Sequence, residues 1–344
     1  MPKPDPFLLA LVATVLLASF LPCRGIAVPL FHDLTIVVIA IMFFMQGARL
    51  SRAAILTGLS HWRLHLAILG CTFVIFPLLG LGLHALAPGL LTPTLWLGVL
   101  FTCVLPSTVQ SSIAFTSIGR GNVPAAVCSA TASNLLGIVA TPLLTGLVLG
   151  GLMSAGGLGS GIGGGLGGSP GGGMPVSGSG VIAIVLQLLL PFMAGQLLQP
   201  WIGGWALRNK RLLSFTDRGS ILVVVYTAFS EAVVQGLWHK VPGSQLALVL
   251  LVDAFLLALI LLVTRFGARL LGFSREDEIA IVFCGSKKTL ASGVPMAGVL
   301  FPVALVGQVV LPLMIFHQIQ LFVCAILARR YARRAVAEVE TIRT

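Results

Sequence analysis

The sequence predicts an all-α integral membrane protein with ten transmembrane helices, arranged as two inverted five-helix repeats. Three observations predict this fold. Hydrophobic residues make up 57% of the 344 residues and charged residues only 9%, against roughly 25% charged in an average soluble domain. The apolar residues fall into segments long enough to cross a bilayer, and a glycine-rich stretch separates five of these segments from the other five.

Ten apolar segments, separated by charged residues or by Pro and Gly, are the predicted spans. They cover residues 7–23, 30–50, 64–87, 94–118, 123–150, 181–201, 219–238, 244–271, 277–300 and 303–328. The first segment follows Lys3 and resembles a secretory signal, but it lacks a small-x-small cleavage site and another span follows it directly. We therefore expect it to stay in the protein as the first helix.

Positive charge in the connections predicts the side of the membrane that each connection faces. Most of the lysine and arginine residues lie in every second connection between the spans. The connections between these carry little charge, and their basic residues are Arg24 and Lys240. Because basic loops stay in the cytoplasm, both termini are expected there, and residues 329–344 are expected to form a basic cytoplasmic tail. The membrane is expected to be the plasma membrane, which is the inner membrane in a bacterium. This topology accounts for the net charge of +11, so we do not expect nucleic-acid binding. The expected surroundings of the chain are membrane lipids. The basic connections contain Arg49, Arg52, Arg63, Arg120, Arg208, Lys210, Arg211, Arg218, Arg265, Arg269, Arg275, Arg329, Arg330, Arg333 and Arg334.

The glycine-rich stretch from Gly150 to Gly180 is predicted to be a flexible linker. It divides the chain into a first repeat at 1–150, an external linker at 151–180 and a second repeat at 181–328. It lacks the lysine and the strand-to-helix context of a phosphate-binding loop. Because five is an odd number, the two halves have opposite orientations in the membrane, which is the architecture of inverted-repeat secondary transporters.

The fourth and ninth segments are counterparts in the two repeats, and both are interrupted. The fourth contains Pro106 followed by a run of polar residues, and the ninth contains "GSKKT" at 285–289. Hydrocarbon cannot satisfy the backbone groups that an interruption exposes, and half-helix ends offer partial charges to ions and substrates. We therefore predict a substrate-binding or ion-binding site formed by Thr108, Gln110, Ser111, Ser112, Ser133, Asn134, Ser286, Lys287, Lys288 and Thr289.

Lys287 and Lys288 are the most unusual members of this predicted site. An ammonium at mid-membrane costs on the order of 3 kcal/mol on insertion scales. The alternative is that the ninth span begins at Leu290 and that both lysines snorkel to an interface. That span would have only 12 residues up to Phe301, too few to cross a bilayer. We therefore expect the pair to be buried at a functional site.

Further polar residues lie in other spans and are candidate additions to the site. An acid such as Glu231 could pair with a lysine, carry a proton or simply lie at an interface. The cluster "FHQIQLF" in the tenth span also suits hydrogen bonding between helices. The candidates are Gln46, Glu231, Asp253, His317 and Gln318.

The sequence contains no constellation typical of an enzyme or a metal site. Its six cysteines lie in or beside apolar segments, without CxxC spacing or neighbouring histidines, so we expect neither a disulfide framework nor a metal cofactor. The spans contain isolated acids and no nucleophile with its base, which argues against an intramembrane enzyme. A ring of acids or a repeated filter motif, which would indicate a channel, is also missing.

Four stretches carry a resemblance to a known family: "STVQSSIAFTSIGRGNVPAAVCSATASNLLGIVATPLL", "LQLLLPFMAGQLLQPW", "FCGSKKTLASGVPMAGVLF" and "LPLMIFHQIQLFVCAILARRYARR". They resemble the bile acid:sodium symporter superfamily, and more closely its SBF-like branch, which includes bacterial sodium-dependent transporters and vertebrate solute carrier family 10 member 7. The resemblance runs over nearly the whole chain. It implies a core domain and a panel domain, with broken fourth and ninth helices that cross at the binding site.

The resemblance fails at the sodium site of the wider superfamily, where a glutamate and a glutamine of the ninth helix help to coordinate two sodium ions. The matching stretch here runs from Phe283 to Lys287, so the glutamate's place is apolar and lysine takes the glutamine's place. Hydroxyl groups remain at Ser111, Ser112 and Ser133 as a vestigial Na⁺ site. Losing an anionic ligand and gaining a cation both oppose sodium binding.

The resemblance and the lysine pair together predict a secondary transporter that moves a small organic anion by alternating access. Lys287 or Lys288 would supply a tethered positive charge where relatives bind Na⁺, so transport would be independent of sodium. Proton coupling is the alternative, because a buried lysine can release its proton. A second class of function is a regulatory or receptor-like membrane protein that binds a ligand without net transport.

Overall fold

The computed structural model of the chain describes residues 6–25, 27–49, 61–155, 178–234, 236 and 241–343. The regular structure of this part of the chain is helical, without a strand. Each of the ten predicted segments coincides with a helix or with a pair of helices. The helices are α1 (Pro6–Phe20), α2 (Ala27–Arg49), α3 (Trp62–Leu86), α4 (Pro93–Val104), α5 (Gln110–Ile118), α6 (Val123–Ala155), α7 (Gly178–Arg208), α8 (Lys210–Val234), α9 (Gly243–Leu270), α10 (Arg275–Gly285), α11 (Leu290–Leu300) and α12 (Val303–Arg343).

Six of the described helices are long and apolar enough to cross a membrane: α2, α3, α6, α8, α9 and α12. Helices α1 and α4 contain shorter apolar stretches. Large apolar side chains such as Leu147, Leu251 and Phe266 are exposed on the long helices, as expected where lipid takes the place of water. The chain is therefore an integral membrane protein. The orientation of its termini and repeats stays a prediction.

The described helices extend into the predicted glycine-rich linker from both sides. Helix α6 continues to Ala155 and α7 begins at Gly178. Leucine, methionine and alanine follow the first glycines of this stretch, and all three favour a helix. The rest of the linker, 156–177, lies outside the described residues, as do Arg52 and Lys240 of the predicted connections. Helix α12 also continues through the predicted basic tail to its last described residue.

The chain forms two compact units, and the first, unit 1, contains Met1–Arg52, Leu149–Gln245 and Ala291–Leu311. It holds α1, α2, α7 and α8. At the end of α2, Arg49 forms a two-point ion pair with Asp217 of α8, with Nη1 to Oδ2 at 2.6 Å and Nη2 to Oδ1 at 3.1 Å. A bidentate pair of this kind fixes the orientation of both side chains.

Within unit 1, α2 and α7 pack with their backbones in direct contact. A Cβ atom on Gly195 would collide with the carbonyl oxygen of Phe44, and one on Gly47 would collide with that of Phe192. Small residues allow such close approach, and in a membrane close packing is a main source of helix association. These two glycines therefore set the distance between the helices.

Unit 2 contains Ala53–Val148, Leu246–Leu290 and Pro312–Thr344. It holds both interruptions, between α4 and α5 and between α10 and α11. Helix α10 packs against α3 and α5, and every residue from Glu278 to Gly285 is buried. A short helix that is buried all round leads directly into the second interruption, so its position determines where that interruption lies.

A paired carboxylate anchors the start of α10. Glu278 accepts hydrogen bonds from Arg269 Nε at 2.8 Å and from the Tyr331 hydroxyl at 2.8 Å, and it lies 3.7 Å from Arg265 Nε. Ser274 caps the helix by accepting the N–H of residue 277. A nearly buried carboxylate requires such partners, so the cluster holds α10 in a single position.

Helix α3 contains a π-helical turn at Cys71–Ile75. There the N–H of Phe76 bonds to the carbonyl of Cys71, five residues back, and not to that of Thr72. The next residue, Pro77, has no N–H to offer. The carbonyl of Thr72 is therefore left without a partner inside its own helix.

Candidate functional site

Both predicted interruptions are present, and they meet inside unit 2 at a place that we call the crossing. The first covers residues 105–109 and the second 286–289. The N–H of Thr289, in the second, donates to the carbonyl of Pro106, in the first, at 3.0 Å. Because the backbone is not helical at either place, its N–H and C=O groups need partners from other elements.

The side chain of Lys288 satisfies three carbonyls at once. Its Nζ donates to the carbonyl oxygens of Thr72 at 2.8 Å, Cys103 at 2.7 Å and Leu105 at 2.8 Å. The ring centroid of Phe76 lies 4.2 Å from the same atom, and the side chain is fully buried. An ammonium has three donors, so its hydrogen-bonding capacity is filled. We call Lys288 with these three carbonyls the lysine clamp.

Local sequence explains why the three carbonyls are available. Thr72 is freed by the π turn and by Pro77. Cys103 and Leu105 stand at the C-terminal end of α4, where the last carbonyls of a helix have no N–H partner further along the chain. Pro106 ends that helix because it cannot donate and restricts the residue before it. Helix C-termini carry partial negative charge, which stabilises an ammonium at this position.

The backbone of Lys288 is held by Gln320 of α12. The N–H of Lys288 donates to Gln320 Oε1 at 2.9 Å, and Gln320 Nε2 donates to the Lys288 carbonyl at 2.8 Å. The same Nε2 lies 2.8 Å from Nδ1 of His317. A single buried side chain thus satisfies both backbone groups of the residue that interrupts the ninth segment.

Serine hydroxyls connect the two interruptions. Ser107 Oγ donates to the carbonyl of Cys284 at 2.6 Å, and Ser112 Oγ donates to that of Phe283 at 2.9 Å. Ser133 Oγ on α6 accepts the N–H of Ser107 at 3.0 Å. Two of the hydroxyls predicted to form a vestigial Na⁺ site, those of residues 112 and 133, are thus bonded to backbone groups in this structure.

Threonine and serine hydroxyls also bond to one another at the start of α5. Thr108 Oγ1 lies 2.8 Å from Ser111 Oγ and 3.1 Å from Ser112 Oγ. Gln110 is exposed at the first position of the helix. Three predicted residues of the fourth segment therefore have hydroxyls that bond to one another, whereas the fourth, Gln110, points away from the buried crossing.

The remaining predicted residues surround the same crossing. Asn134 Nδ2 donates to the carbonyl of Ser107 at 2.7 Å. Ser286 Oγ donates to the carbonyl of Val282 at 2.5 Å, which closes the last turn of α10. Thr289 is buried. Asn134 therefore supports the first interrupted backbone directly, and Ser286 supports the end of α10 that leads into the second.

Lys287 is also fully buried, but its environment differs from that of its neighbour. Nζ has no hydrogen-bond partner in the part of the chain that the structure describes. It lies 3.9 Å from the ring centroid of Phe115 and 5.4 Å from that of Phe283. Ring faces attract a cation, but they replace only part of the hydration that burial removes. Its three donors are therefore unused in this structure.

The five further candidates are divided between the units. Asp253, His317 and Gln318 lie in unit 2, and Gln46 and Glu231 lie in unit 1. Asp253 is fully buried on α9, and neither of its carboxylate oxygens has a hydrogen-bond partner among the described residues. His317 reaches the second interruption through the glutamine that holds it. Gln318 and Gln46 are half-buried.

Several residues of the crossing, Ser107 among them, were not among the predicted site residues. Thr72 and Gln320 bind Lys288, and Thr141 Oγ1 donates to the carbonyl of Val104 at 3.0 Å. Gln320 belongs to the polar cluster already noted in the tenth span. Pro77 is a signal for Thr72, because a proline inside an apolar segment frees a carbonyl upstream. Nothing in the sequence singles out Thr141.

The crossing has a positive charge. Its polar atoms are carbonyls, hydroxyls, amides and the two ammonium groups of Lys287 and Lys288. No group of three or more His, Cys, Asp or Glu side chains suited to a metal ion occurs among the described residues. An arrangement of this kind can bind an anion or hold its own backbone together, but it lacks the carboxylates that a divalent cation needs.

Comparison with known proteins covers almost the whole chain. Residues 5–333 match the family described as the SBF-like CPA transporter family. The chain is 57% identical over 331 residues to an uncharacterized protein of Pseudomonas aeruginosa, covering 96% of this chain and 94% of that protein. It is 54% identical over 330 residues to the Escherichia coli protein named "Putative symporter YfeH", covering 96% and 93%.

A vertebrate relative is more distant but equally extensive. The chain is 26% identical over 330 residues to "Sodium/bile acid cotransporter 7" of Rattus norvegicus, covering 93% of this chain and 90% of that protein. In every case the matched length includes both interruptions and the positions of both lysines. It therefore concerns the complete arrangement of helices, not one module of it.

Proposed function

The chain belongs to the SBF-like CPA transporter family, and from this premise we propose that it is a secondary transporter that moves a small organic anion across the plasma membrane by alternating access. The family is the one predicted from the sequence motifs, and that prediction is confirmed. The relatives are named as transporters or symporters, a class of protein distinct from enzymes. The solute is a small molecule, and its charge is inferred from the residues of the crossing.

The unpartnered ammonium of Lys287 is the observation that carries the proposal of an anionic solute. A buried ammonium without a hydrogen-bond partner is unfavourable in a membrane. A carboxylate or sulfate group would supply the missing hydrogen bonds with charge-assisted ones. Lys287 thus attracts the solute's anionic group when the crossing opens, and the apolar surroundings suit an amphipathic molecule.

The lysine clamp supports transport without sodium. Carbonyl oxygens that converge on one point are the ligands of a monovalent metal cation in ion filters. In this chain the Nζ atom of Lys288 occupies that point, 2.7–2.8 Å from three oxygens. Because the cation is tethered, it holds the broken helix ends without dissociating. The sequence left open which lysine has this role, and the geometry favours Lys288.

The sodium question can be tested without a substrate. The purified protein is melted in detergent while NaCl replaces KCl at constant ionic strength, together with Lys288→Gln and Lys287→Gln. We expect no saturable rise of the melting temperature with Na⁺ in the unmutated protein, since a ligand that binds only the folded state stabilises it. We expect Lys288→Gln to melt lower and to gain a Na⁺-dependent rise. A saturable rise in the unmutated protein would refute the tethered cation.

The transport question requires flux. Proteoliposomes are loaded under a Na⁺ gradient, a pH gradient or no gradient, and uptake of a bile acid, a sulfated steroid and a dicarboxylate is measured. We expect uptake of an anion without a Na⁺ gradient, and its loss in Lys287→Gln but not in Ser220→Ala, a buried serine of α8 outside the crossing. Acceleration by the pH gradient alone would assign the coupling to protons. Binding without uptake of any of them would favour the receptor-like alternative.

A further inference from the structure

Unit 1 contains a cleft that is separate from the lysine crossing. Its volume is about 340 Å³, within the range of small-molecule sites, which is roughly 300–1,000 Å³. It lies where the connection between α1 and α2, the end of α8 and the start of α12 come together. The lining residues are Cys23, Val28, Pro29, Phe31, His32, Thr227, Ser230, Glu231 and Val303.

The polar side of the cleft carries one carboxylate, that of Glu231. The ring of His32 lies 3.7 Å from the carboxylate of Asp33, which offsets a charge on that ring. Lysine and arginine are missing from the described residues that line the cleft. A cation beside Glu231 is therefore favoured over an anion.

One hydroxyl in the cleft lacks a partner. Ser230 is 1% exposed, and its Oγ has no hydrogen-bond partner among the described residues. Thr227 is different, since its hydroxyl donates to the carbonyl of Val223 at 2.9 Å and accepts from Thr35 at 3.1 Å. Buried polar atoms are nearly always paired, so an unpaired hydroxyl in a cleft points to a ligand that supplies the bond.

The rest of the cleft is apolar and contains an aromatic ring. Val28, Pro29 and Val303 suit an alkyl chain, and Phe31, which packs against Tyr226 with ring centroids 5.0 Å apart, adds a ring face. A carboxylate, a hydroxyl and an aromatic ring around an apolar floor are the groups that recognise an alkylammonium ion.

The cleft continues as a narrow cavity towards the second half of the ninth segment. This cavity of about 30 Å³, roughly the space of one water molecule, shares His32, Thr227 and Val303 with the cleft and reaches Gly298 and Phe301. Gly298 belongs to α11, the helix that follows the lysine interruption. A ligand in the cleft would therefore border the end of the interrupted segment within unit 1.

We propose that this cleft is a binding site for a small organic amine. The ammonium group bonds to Glu231 and Ser230, and the alkyl part packs on Val28, Val303 and the ring of Phe31. The site goes beyond the proposed anion transport and does not depend on it, because it uses no residue of the crossing. An experiment can therefore disprove amine binding without disproving anion transport, and it can disprove anion transport without disproving amine binding.

The test uses three probes with one alkyl chain and three head groups. Butylammonium chloride, potassium butyrate and 1-butanol are titrated into the purified protein in detergent, in KCl at constant ionic strength, and melting temperature and calorimetric heat are recorded. We expect saturable binding of butylammonium only. Glu231→Gln is expected to abolish it, and Ser230→Ala to weaken it about tenfold, the loss of roughly one hydrogen bond.

The control is Ser220→Ala on the same helix. Ser220 is buried but bonds to the carbonyl of Thr216 and does not line the cleft, so the affinity for butylammonium should be unchanged. Saturable binding of butyrate, or of 1-butanol with equal affinity, would overturn the assignment to an amine. So would butylammonium binding that survives Glu231→Gln, or no saturable binding in the unmutated protein.

Discussion

Lys287 and Lys288 are adjacent in the chain, but their ammonium groups lie in opposite environments. Nζ of Lys288 is bonded to three carbonyl oxygens, whereas Nζ of Lys287 faces the rings of Phe115 and Phe283 without a hydrogen bond among the described residues. Because the backbone is not helical between α10 and α11, these neighbouring side chains are not held to the regular spacing of a helix. Lys288 bonds to the backbone of the crossing, and Lys287 is the residue to which the proposed function assigns the solute's anionic group.

Methionine in place of each lysine separates these two roles. Lys288→Met is expected to lower the free energy of unfolding by at least about 3 kcal/mol, because three buried carbonyls lose their donor and each costs about 1–3 kcal/mol. Lys287→Met is expected to change it by no more than about 1 kcal/mol, because no hydrogen bond is lost and a buried charge is removed. The two variants and the unmutated protein are melted in detergent, and their melting temperatures are compared. Equal destabilisation would contradict the lysine clamp.

Glutamate in place of Gln320 removes one hydrogen bond of a pair. The carboxylate still accepts the N–H of Lys288 but cannot donate to its carbonyl, and it brings a charge to a fully buried position. We expect a loss of about 2 kcal/mol or more. The matched comparison is Gln318→Glu, two residues away on the same helix and half-buried, which introduces the same charge without breaking this pair of hydrogen bonds and should therefore melt above Gln320→Glu. If the two variants melt together, Gln320 does not hold the interruption.

Leucine in place of Asp253 is expected to stabilise the protein. Leucine has the same branched shape, and it removes two buried oxygens that have no described partner. Replacing an unsatisfied buried polar group by an apolar one is favourable by about 1–3 kcal/mol. In contrast, Asp217→Leu should lower the melting temperature, because Asp217 is paired with Arg49. A lower melting temperature for Asp253→Leu would show that the carboxylate has a stabilising partner.

Alanine in place of two glycines of α7 should have opposite effects. Gly195→Ala places a methyl group against the carbonyl of Phe44, and overpacking of this kind typically costs about 1–3 kcal/mol. Gly204 has open space around it, so Gly204→Ala should stabilise the helix by up to about 1 kcal/mol. Melting temperatures of the two variants give the comparison. Tolerance of alanine at 195 would mean that α2 and α7 are further apart.

The helices could be predicted from the sequence because hydrophobicity and helix breakers are local properties. Each apolar segment became a helix, and Pro106 and the residues before Lys288 produced the two interruptions. Helix ends were less predictable, as the continuation of α6 to Ala155 shows. Good helix formers beyond a pair of glycines outweighed the composition of the stretch as a whole.

The partners of the site residues could not be predicted, because they are distant in sequence. The carbonyl of Thr72 is 216 positions from Lys288. Pro77 signals a free carbonyl upstream, but in a regular helix that carbonyl would belong to Phe73, and only the π turn makes it that of Thr72. Ser111, Ser112 and Ser133 were predicted as a vestigial ion site, since their oxygens suit that role. In the structure Ser112 instead bonds to α10, as does Ser107, which was not predicted, because an interrupted backbone needs donors first.

The π turn in α3 also determines how the length of this helix can vary. One residue of an α-helix corresponds to about 100° of rotation and 1.5 Å of rise, and a π turn takes up one extra residue within a single wider turn. Deleting one residue from Phe73 to Ile75 would therefore leave Leu78, which is 60% exposed, facing lipid, and Phe76 beside the ammonium of Lys288. Pro77 would then follow Thr72 by four positions and would still leave its carbonyl free. A chain one residue shorter in this turn is expected to keep the lysine clamp, whereas a deletion elsewhere in the helix would rotate the residues that follow it.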